Sequence, residues 1–343
     1  MPVLKTEQPH GDPPALGEPE SLSAFVARVL NQLSLSAWLP GAFFIASVSA
    51  LAWFQLRGAV TFRGASTFIQ DNWLSFLILT VPALVIVTLL TQAFSFGAIQ
   101  TLEGYWRARG PASWLRMLCI SRQLRLKHSL EKRFIATHKK AFRSARPRLL
   151  QRPIDGMVLL AVEADVNHNS RPSDLSDEQH DTADTLNWQS DCDPWQMARM
   201  VRLNVERREF PQEARIMPTK LGNVLRSAED GIEDGGDLGG FVMRNRHLVP
   251  TRVLLHHDQF RTRLDMYCIL VFVSAMAAIV SIPVLTDLPA LGRISVVLAL
   301  LVMSWASYGA ALASARGYGT SLRQIDSAVK EARQHSTADT PTP

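Results

Sequence analysis

The chain has 343 residues, of which 36 are Lys or Arg and 31 are Asp or Glu, and 47% are hydrophobic. Three widely spaced cysteines (Cys119, Cys192 and Cys268) exclude a disulfide framework and a CxxC metal site, and fit a reducing cytoplasm. In chain order, residues 1–20 come first. They are polar and rich in proline, glycine and acid, which predicts a disordered tail rather than a signal peptide.

Charge is absent from four long stretches of the chain, and each stretch is apolar. A helix needs about 20 such residues to cross a bilayer. In lipid, each backbone N–H has to be paired within its own segment, so these stretches are predicted as helices. An interfacial helix is expected before the first of them, from residue 21. The predicted spans cover about 35–56, 73–97, 266–286 and 294–315.

The basic residues predict the orientation of these spans. Of the 36 Lys and Arg residues, 27 lie between the second and third spans, and positive charge near span ends marks the cytoplasmic side. Both termini and the insertion are therefore expected in the cytoplasm, under a bacterial plasma membrane. The predicted fold is an all-α membrane protein with four transmembrane helices in a 2+2 arrangement. Its parts are hairpin 1 (21–105), a mainly helical insertion (106–260), hairpin 2 (261–316), and a C-terminal helix and tail (317–343).

The second span carries a polar stripe within an arc of about 120°. Such a stripe lines water or hydrogen-bonds another helix, and the second case is the commoner one. No span contains a charged residue, which argues against proton-coupled transport. The stripe consists of Thr80, Thr88, Thr91, Gln92 and Ser95.

Small residues recur at four-residue spacing in the fourth span, where they allow close approach of helix backbones. They pack either against the chain's own first hairpin or across a seam between copies of the chain. The two sets are Ser307, Ala311 and Ala315, and Gly309, Ala313 and Gly317.

The insertion begins with a basic helix predicted at 112–146, within a segment (107–152) of net charge +13. Three interpretations stay open. The helix lies on anionic lipid, it binds nucleic acid, or it is a solvated basic face that retains the loop in the cytoplasm. Its start beside the second span favours lipid or retention. The absence of a zinc-finger or RNP motif makes nucleic acid the least favoured partner.

The rest of the insertion alternates apolar and acidic segments. PIDGMVLLAVEAD (153–165) predicts either a strand or a buried helix. Seven acids in 167–193 predict an acidic loop, solvated or clipped to the basic helix. Helices follow at about 194–209, with Asp193 as N-cap, and at about 219–230.

The last of these helices belongs to the motif MPTKLGNVLRSAED. Thr219 is its expected N-cap, and an apolar stripe follows at helical spacing. This stripe predicts a docking helix buried against the basic helix that leaves the second span, or against the helix before it. The stripe consists of Leu221, Val224, Leu225 and Ala228.

Catalytic patterns are weak in this sequence. In His256-His257-Asp258, adjacent side chains on a helix point about 100° apart, so the triplet alone makes no tight metal site. Cys192 lies between two aspartates, which raise rather than lower a thiol pKa. GxSxG, HExxH and P-loop motifs are absent from the sequence. We therefore expect a non-enzyme without cofactor or metal.

Four motifs together resemble a family of uncharacterised bacterial multi-pass membrane proteins: SAWLPGAFF, FGAIQTLEGYWRARGP, MPTKLGNVLRSAED and YGAALASARGYG. The resemblance implies the 2+2 topology and supplies no site residues or activity. The expected function is an oligomeric membrane assembly or anchor whose cytoplasmic module binds a protein partner or signal. The alternative is a passive pore or channel lined in part by the second span.

Overall fold

The computed structural model describes residues 35–57, 73–106, 110, 113–232 and 238–338. Within these ranges every regular element is a helix and none is a strand. The expected tail (1–20) and interfacial helix lie outside them. The α-helices are α1 Leu35–Arg57, α2 Trp73–Glu103, α3 Ser113–Leu149, α4 Gly156–Asn167, α5 Asp177–Thr185, α6 Pro194–Arg208, α7 Lys220–Asp230, α8 Leu238–Arg244, α9 Thr251–Val284 and α10 Ala290–Ala338.

Three described helices are long and apolar enough to cross a membrane: Thr80–Glu103, Thr251–Val284 and Ala290–Gln334. The helix α1 has 23 residues, and the structure describes a further apolar helix within it at Trp38–Leu51. The C-terminal helix expected as a separate element continues the predicted fourth span without a break, because α10 runs for 49 residues.

The chain divides into two compact units, Met1–Ala93 with Met276–Val297, and Phe94–Ala275 with Leu298–Pro343. In the first unit, α1 and α2 approach closely at Gly41, where an added Cβ would lie 3.0 Å from the Thr88 hydroxyl oxygen.

The second unit contains three hydrophobic cores. The first joins the carboxyl half of α3 to α4, α5 and α6, around Phe142, Val162, Trp188 and Met200. The second joins α7 to α9, α10 and the end of α2. The third packs α8 and the end of α10 around Phe241 and Ile325.

Two segments of the insertion that were not assigned as helices from the sequence are helical in the structure. The apolar run after Pro153 is α4, which Asp155 caps by accepting a hydrogen bond from Met157 N. The acidic segment was expected to be a loop, and this expectation is wrong for α5. Ser176 and Gln179 form a reciprocal capping box at its start, which satisfies N–H groups that a helix terminus otherwise leaves unpaired.

Candidate functional site

The apolar stripe of α7 is buried, but its partner differs from the expected one. Leu221, Val224, Leu225 and Ala228 are 0 to 9% exposed. The first three share a core with Leu264 and Cys268 of α9, Ala311, Leu312 and Ala315 of α10, and the partly buried Ile99 and Leu102 of α2. The basic helix α3 contributes nothing to this core. The apolar residues of the carboxyl half of α3, such as Phe142 and Leu149, pack instead in the first core.

The amino terminus of α7 is tied to the end of α2 by one hydroxyl. Thr219 Oγ1 donates to the main-chain oxygen of Glu103 at 2.9 Å and accepts from Gly222 N at 3.0 Å. Leu221 N donates to the Tyr308 hydroxyl at 3.3 Å. Two N–H groups that a helix start leaves unpaired thus find partners on α7 itself and on α10.

The contact between α2 and α7 requires two glycines. A Cβ on Gly222 would clash with the main-chain oxygen of Glu103, so only glycine lets the two backbones approach. Gly104 has a φ of +95°, and a Cβ there would lie 2.5 Å from the ring of Pro218. The N–H of Gly104 donates to Gln100 O at 3.0 Å, just after the end of α2. Glycine is the preferred residue for a left-handed conformation at a helix carboxyl terminus.

A buried amide holds the segment that leads into α7. The Asn223 side chain accepts from Met217 N at 2.8 Å and donates to Met217 O at 3.2 Å. Both polar ends of the amide are therefore satisfied, as a buried polar group requires. The arrangement fixes the turn that presents Pro218 and Thr219 to α2.

Charged side chains close the other side of the same contact. Arg226 lies over the Tyr105 ring at 5.6 Å and donates to Glu229 at 2.9 Å. Arg215 lies 3.7 Å from Glu229 and also bonds Asp230. Burial raises the pKa of the Tyr105 phenol, while the charge of Arg226 opposes the rise. Tyr105 therefore stays a neutral ring under the guanidinium.

We call this contact the α2–α7 junction, defined by Glu103, Gly104, Thr219, Gly222 and Tyr308. Three of the four motifs that carried the family resemblance meet in it. A neighbouring cavity of about 10 Å³ has room for about one water. Sequence reasoning found Thr219 but missed Gly104 and Gly222, whose signal was a glycine in LEGYW and another inside an otherwise helical pattern.

The polar stripe of α2 is not uniform. Thr88 is buried against Gly41, and Thr91 donates to Thr88 O at 2.9 Å. Thr80 and Ser95 are half-buried, and Gln92 is exposed. At Thr88 the stripe therefore makes a helix contact.

The two small-residue sets of α10 face different surroundings. Ser307, Ala311 and Ala315 are buried within the chain. Gly309 and Ala313 are exposed, and nothing lies within 4 Å of a Cβ on Gly309. Gly317 of the second set instead packs tightly against Phe260 of α9.

The basic helix α3 has two different halves. Its carboxyl half packs into the first core through Phe142 and Leu149. Its first turns expose large apolar side chains, with Trp114 64% and Met117 67% exposed. The acidic segment contacts the carboxyl-terminal end of the basic segment, where Arg152 donates a hydrogen bond to Asp191 at 2.8 Å. Other acids of the same segment, such as Asp174 and Asp181, are exposed to solvent.

The remaining chemical candidates are the His256-His257-Asp258 triplet, Cys192 and one group of possible metal ligands. His257 is buried against Tyr318, with ring centroids 4.8 Å apart, whereas His256 and Asp258 are exposed. Cys192 is buried, and burial more than Asp193 raises the pKa of its thiol, which opposes a nucleophilic role. Sequence reasoning missed His128, Glu131 and Glu213, the one group in the described ranges whose ligand atoms lie within 4.8 Å of one another. His128 is bonded to Glu213 at 3.0 Å, and the side chains of both residues are exposed.

Comparison of the chain with protein-family models, with curated proteins and with solved structures gave no match.

Proposed function

We propose that this protein is a non-enzymatic, four-span protein of the bacterial plasma membrane with a 2+2 arrangement and cytoplasmic termini. It acts as an oligomeric assembly or anchor, and its insertion binds a cytoplasmic partner or signal. The α2–α7 junction carries this proposal. An insertion fastened to the ends of three long apolar helices can pass a binding event to those helices, whereas a loosely tethered one cannot.

The junction has the properties that such coupling needs. It joins α7 to α2 through Thr219 and Glu103, and to α10 through Leu221 and Tyr308. Backbone contact at Gly222 leaves little room for sliding. Closely packed interiors transmit displacement because they resist compression. A shift of α7 therefore moves the ends of α2 and α10 with it.

The first turns of α3 supply the membrane-facing part of the anchor. Trp114 and Met117 are exposed beside basic side chains such as Arg122 and Arg125. Tryptophan favours the interface of a bilayer, and each Lys or Arg near an anionic surface contributes about 1 kcal/mol. We propose anionic lipid as the surface that covers this face.

Site-specific photocrosslinking in native membranes tests the proposal. A photoreactive residue at Val201 of α6, which is exposed, is expected to give one discrete adduct with a partner or with a second copy. The exposed Leu160 of α4 serves as the control position. A monomer in native-like lipid that gives no discrete adduct from position 201 contradicts the proposal.

The pore alternative has its own measurement. The burial of Thr88 against Gly41 favours a helix contact over a water-lined path. Purified protein in planar bilayers is therefore expected to stay silent across voltages. A conductance that Thr88→Leu or Thr91→Leu alters would establish the pore instead.

A further inference from the structure

An open cleft of about 320 Å³ lies between the end of α6, α7 and the middle of α10. Three arginines line it, Arg208, Arg316 and Arg323, against a single carboxylate, Glu209. Its walls are completed by apolar and small side chains, including Val205 and Val224. The cleft is separate from the α2–α7 junction.

One of the three arginines is already paired. Arg316 makes a two-pronged contact with Glu209, at 2.7 Å from Nε and 3.2 Å from a terminal nitrogen. Lys220 lies 3.7 Å from the same carboxylate. Glu209 is therefore already paired with two cations, Arg316 and Lys220.

The other two arginines lack a carboxylate. Within the described ranges, Arg208 forms no ion pair and Arg323 reaches only the Thr320 hydroxyl, at 3.4 Å. Like charges around one cleft repel each other, and an anion between them would turn that repulsion into attraction. The unmatched charge thus points to a negatively charged ligand.

Small residues form the wall of the cleft where α10 meets α7. A Cβ on Gly319 would lie 2.8 Å from the Ala228 side chain, so the glycine lets these two helices approach closely. The volume is at the lower end of small-molecule sites. It suits a headgroup or a small phosphate ester, and is too small for a folded partner.

We propose that this cleft binds a phosphate-ester anion, held by Arg208 and Arg323 beside the fixed Arg316–Glu209 pair. The planar guanidinium fork matches phosphate oxygens through two parallel hydrogen bonds. Arg316 is also the first charged residue after the charge-free stretch that follows Arg293. Two sources share this chemistry: a phospholipid headgroup at the membrane surface, or a soluble phosphate ester. The inference does not rest on the function proposed above.

Two binding measurements on the full chain test the site and distinguish the sources. In the soluble arm, glycerol 3-phosphate is titrated onto protein in phosphatidylcholine nanodiscs. In the lipid arm, native mass spectrometry counts phosphatidylglycerol retained after release from mixed nanodiscs. The variant is Arg208→Gln with Arg323→Gln, and the matched control is Arg199→Gln, an exposed arginine on α6 outside the cleft.

We expect binding in at least one arm, weakened about tenfold or more in the double variant because charge-assisted hydrogen bonds are lost. Arg199→Gln should bind like the wild type. Binding in neither arm, or an equal loss in the control, overturns the proposal.

A measurement on the wild type covers the case of a variant that fails to fold. The occupied cleft should slow modification of Arg208 and Arg323 by phenylglyoxal relative to Arg199, as read by peptide mass spectrometry. Equal modification rates with and without both phosphate compounds would overturn the proposal as well.

Discussion

The Thr219 hydroxyl and the main-chain oxygen of Glu103 are joined by a 2.9 Å hydrogen bond across 116 residues of sequence. The same hydroxyl caps α7 by accepting from Gly222 N. One side chain thus starts a helix of the insertion and ties it to the end of α2. The hydroxyl donates its proton to Glu103 O, and its oxygen accepts the hydrogen bond from Gly222 N.

Substitution at Thr219 separates these roles. Thr219→Val removes both the cap and the tie, and should lower the free energy of unfolding by about 1–2 kcal/mol, the usual effect of losing an N-cap. Thr219→Asp keeps an acceptor for the cap but brings a carboxylate against the Glu103 carbonyl. Hydrogen exchange of α7 amides in nanodiscs measures both.

Thr219→Ser is the control, because it keeps the donor and the acceptor. Faster exchange for Val and Asp, with near wild-type exchange for Ser, is the expected order. Full protection in the Asp variant would mean that the tie to Glu103 contributes nothing.

Gly222→Ala is expected to destabilise the protein although alanine is the better helix former. The helix would gain about 1 kcal/mol from propensity, but the new Cβ would strike the Glu103 oxygen. Overpacking of this kind costs about 1–3 kcal/mol, and a backbone atom gives way less readily than a flexible side chain. A lower melting temperature in nanodiscs is the expected readout.

Gly239 provides the matched control, since it is also helical and nothing lies within 4 Å of its added Cβ. Gly239→Ala should leave the melting temperature unchanged or raise it. If Gly222→Ala and Gly239→Ala change the melting temperature equally, Gly222 is not needed for the close approach of the α2 and α7 backbones.

His138 should make the first core weaken in acid. Its ring stacks on Phe134 at 5.7 Å and meets Trp188 edge-on at 5.1 Å. Burial, with His168 and Arg207 nearby, lowers its pKa below the ordinary 6.5. Below pH 6.5 the unfolded chain then binds more protons than the folded one, so stability is complete above that pH and falls as the pH falls.

The test compares hydrogen exchange of α4 and α6 between pH 7 and pH 5, corrected for intrinsic exchange rates. Protection should drop in the wild type and drop less in His138→Phe, which keeps an aromatic ring and removes the titration. An identical pH response in the variant would assign the loss to other groups.

The two faces of α10 should respond differently to enlargement. Ala311 is fully buried, so Ala311→Leu should overpack the second core and lower the melting temperature. Ala313 is exposed, so Ala313→Leu should leave the fold intact. If copies of the chain associate through that face, the second variant should shift the oligomer toward monomer.

Native mass spectrometry in lipid reads the oligomeric state of both variants. An Ala313→Leu protein with the same subunit number as the wild type would exclude this face as the seam. A wild-type melting temperature for Ala311→Leu would contradict the burial of Ala311.

Much of the helical layout was readable from local pattern. Charge-free stretches, the N-cap at Thr219 and the stripe from Leu221 are properties of short windows, and helices depend mostly on such windows. The apolar run before Asp165 could not be assigned, because a short run fits a strand or a buried helix equally well. The density of acids in 167–193 favours a loop, whereas the capping box formed by Ser176 and Gln179 marks the start of the helix α5.

The sequence by itself determined that the long apolar stretches are helical and that α7 has one apolar face. The tertiary structure decided what that face packs against, since the apolar spacing within α7 does not distinguish α3 from the ends of α2, α9 and α10. It also decided the role of Gly222, which reads as a weak helix residue until the Glu103 carbonyl is seen beside it. Periodicity records which side of a helix is buried, whereas the identity of the partner depends on contacts between distant residues, which no local window contains.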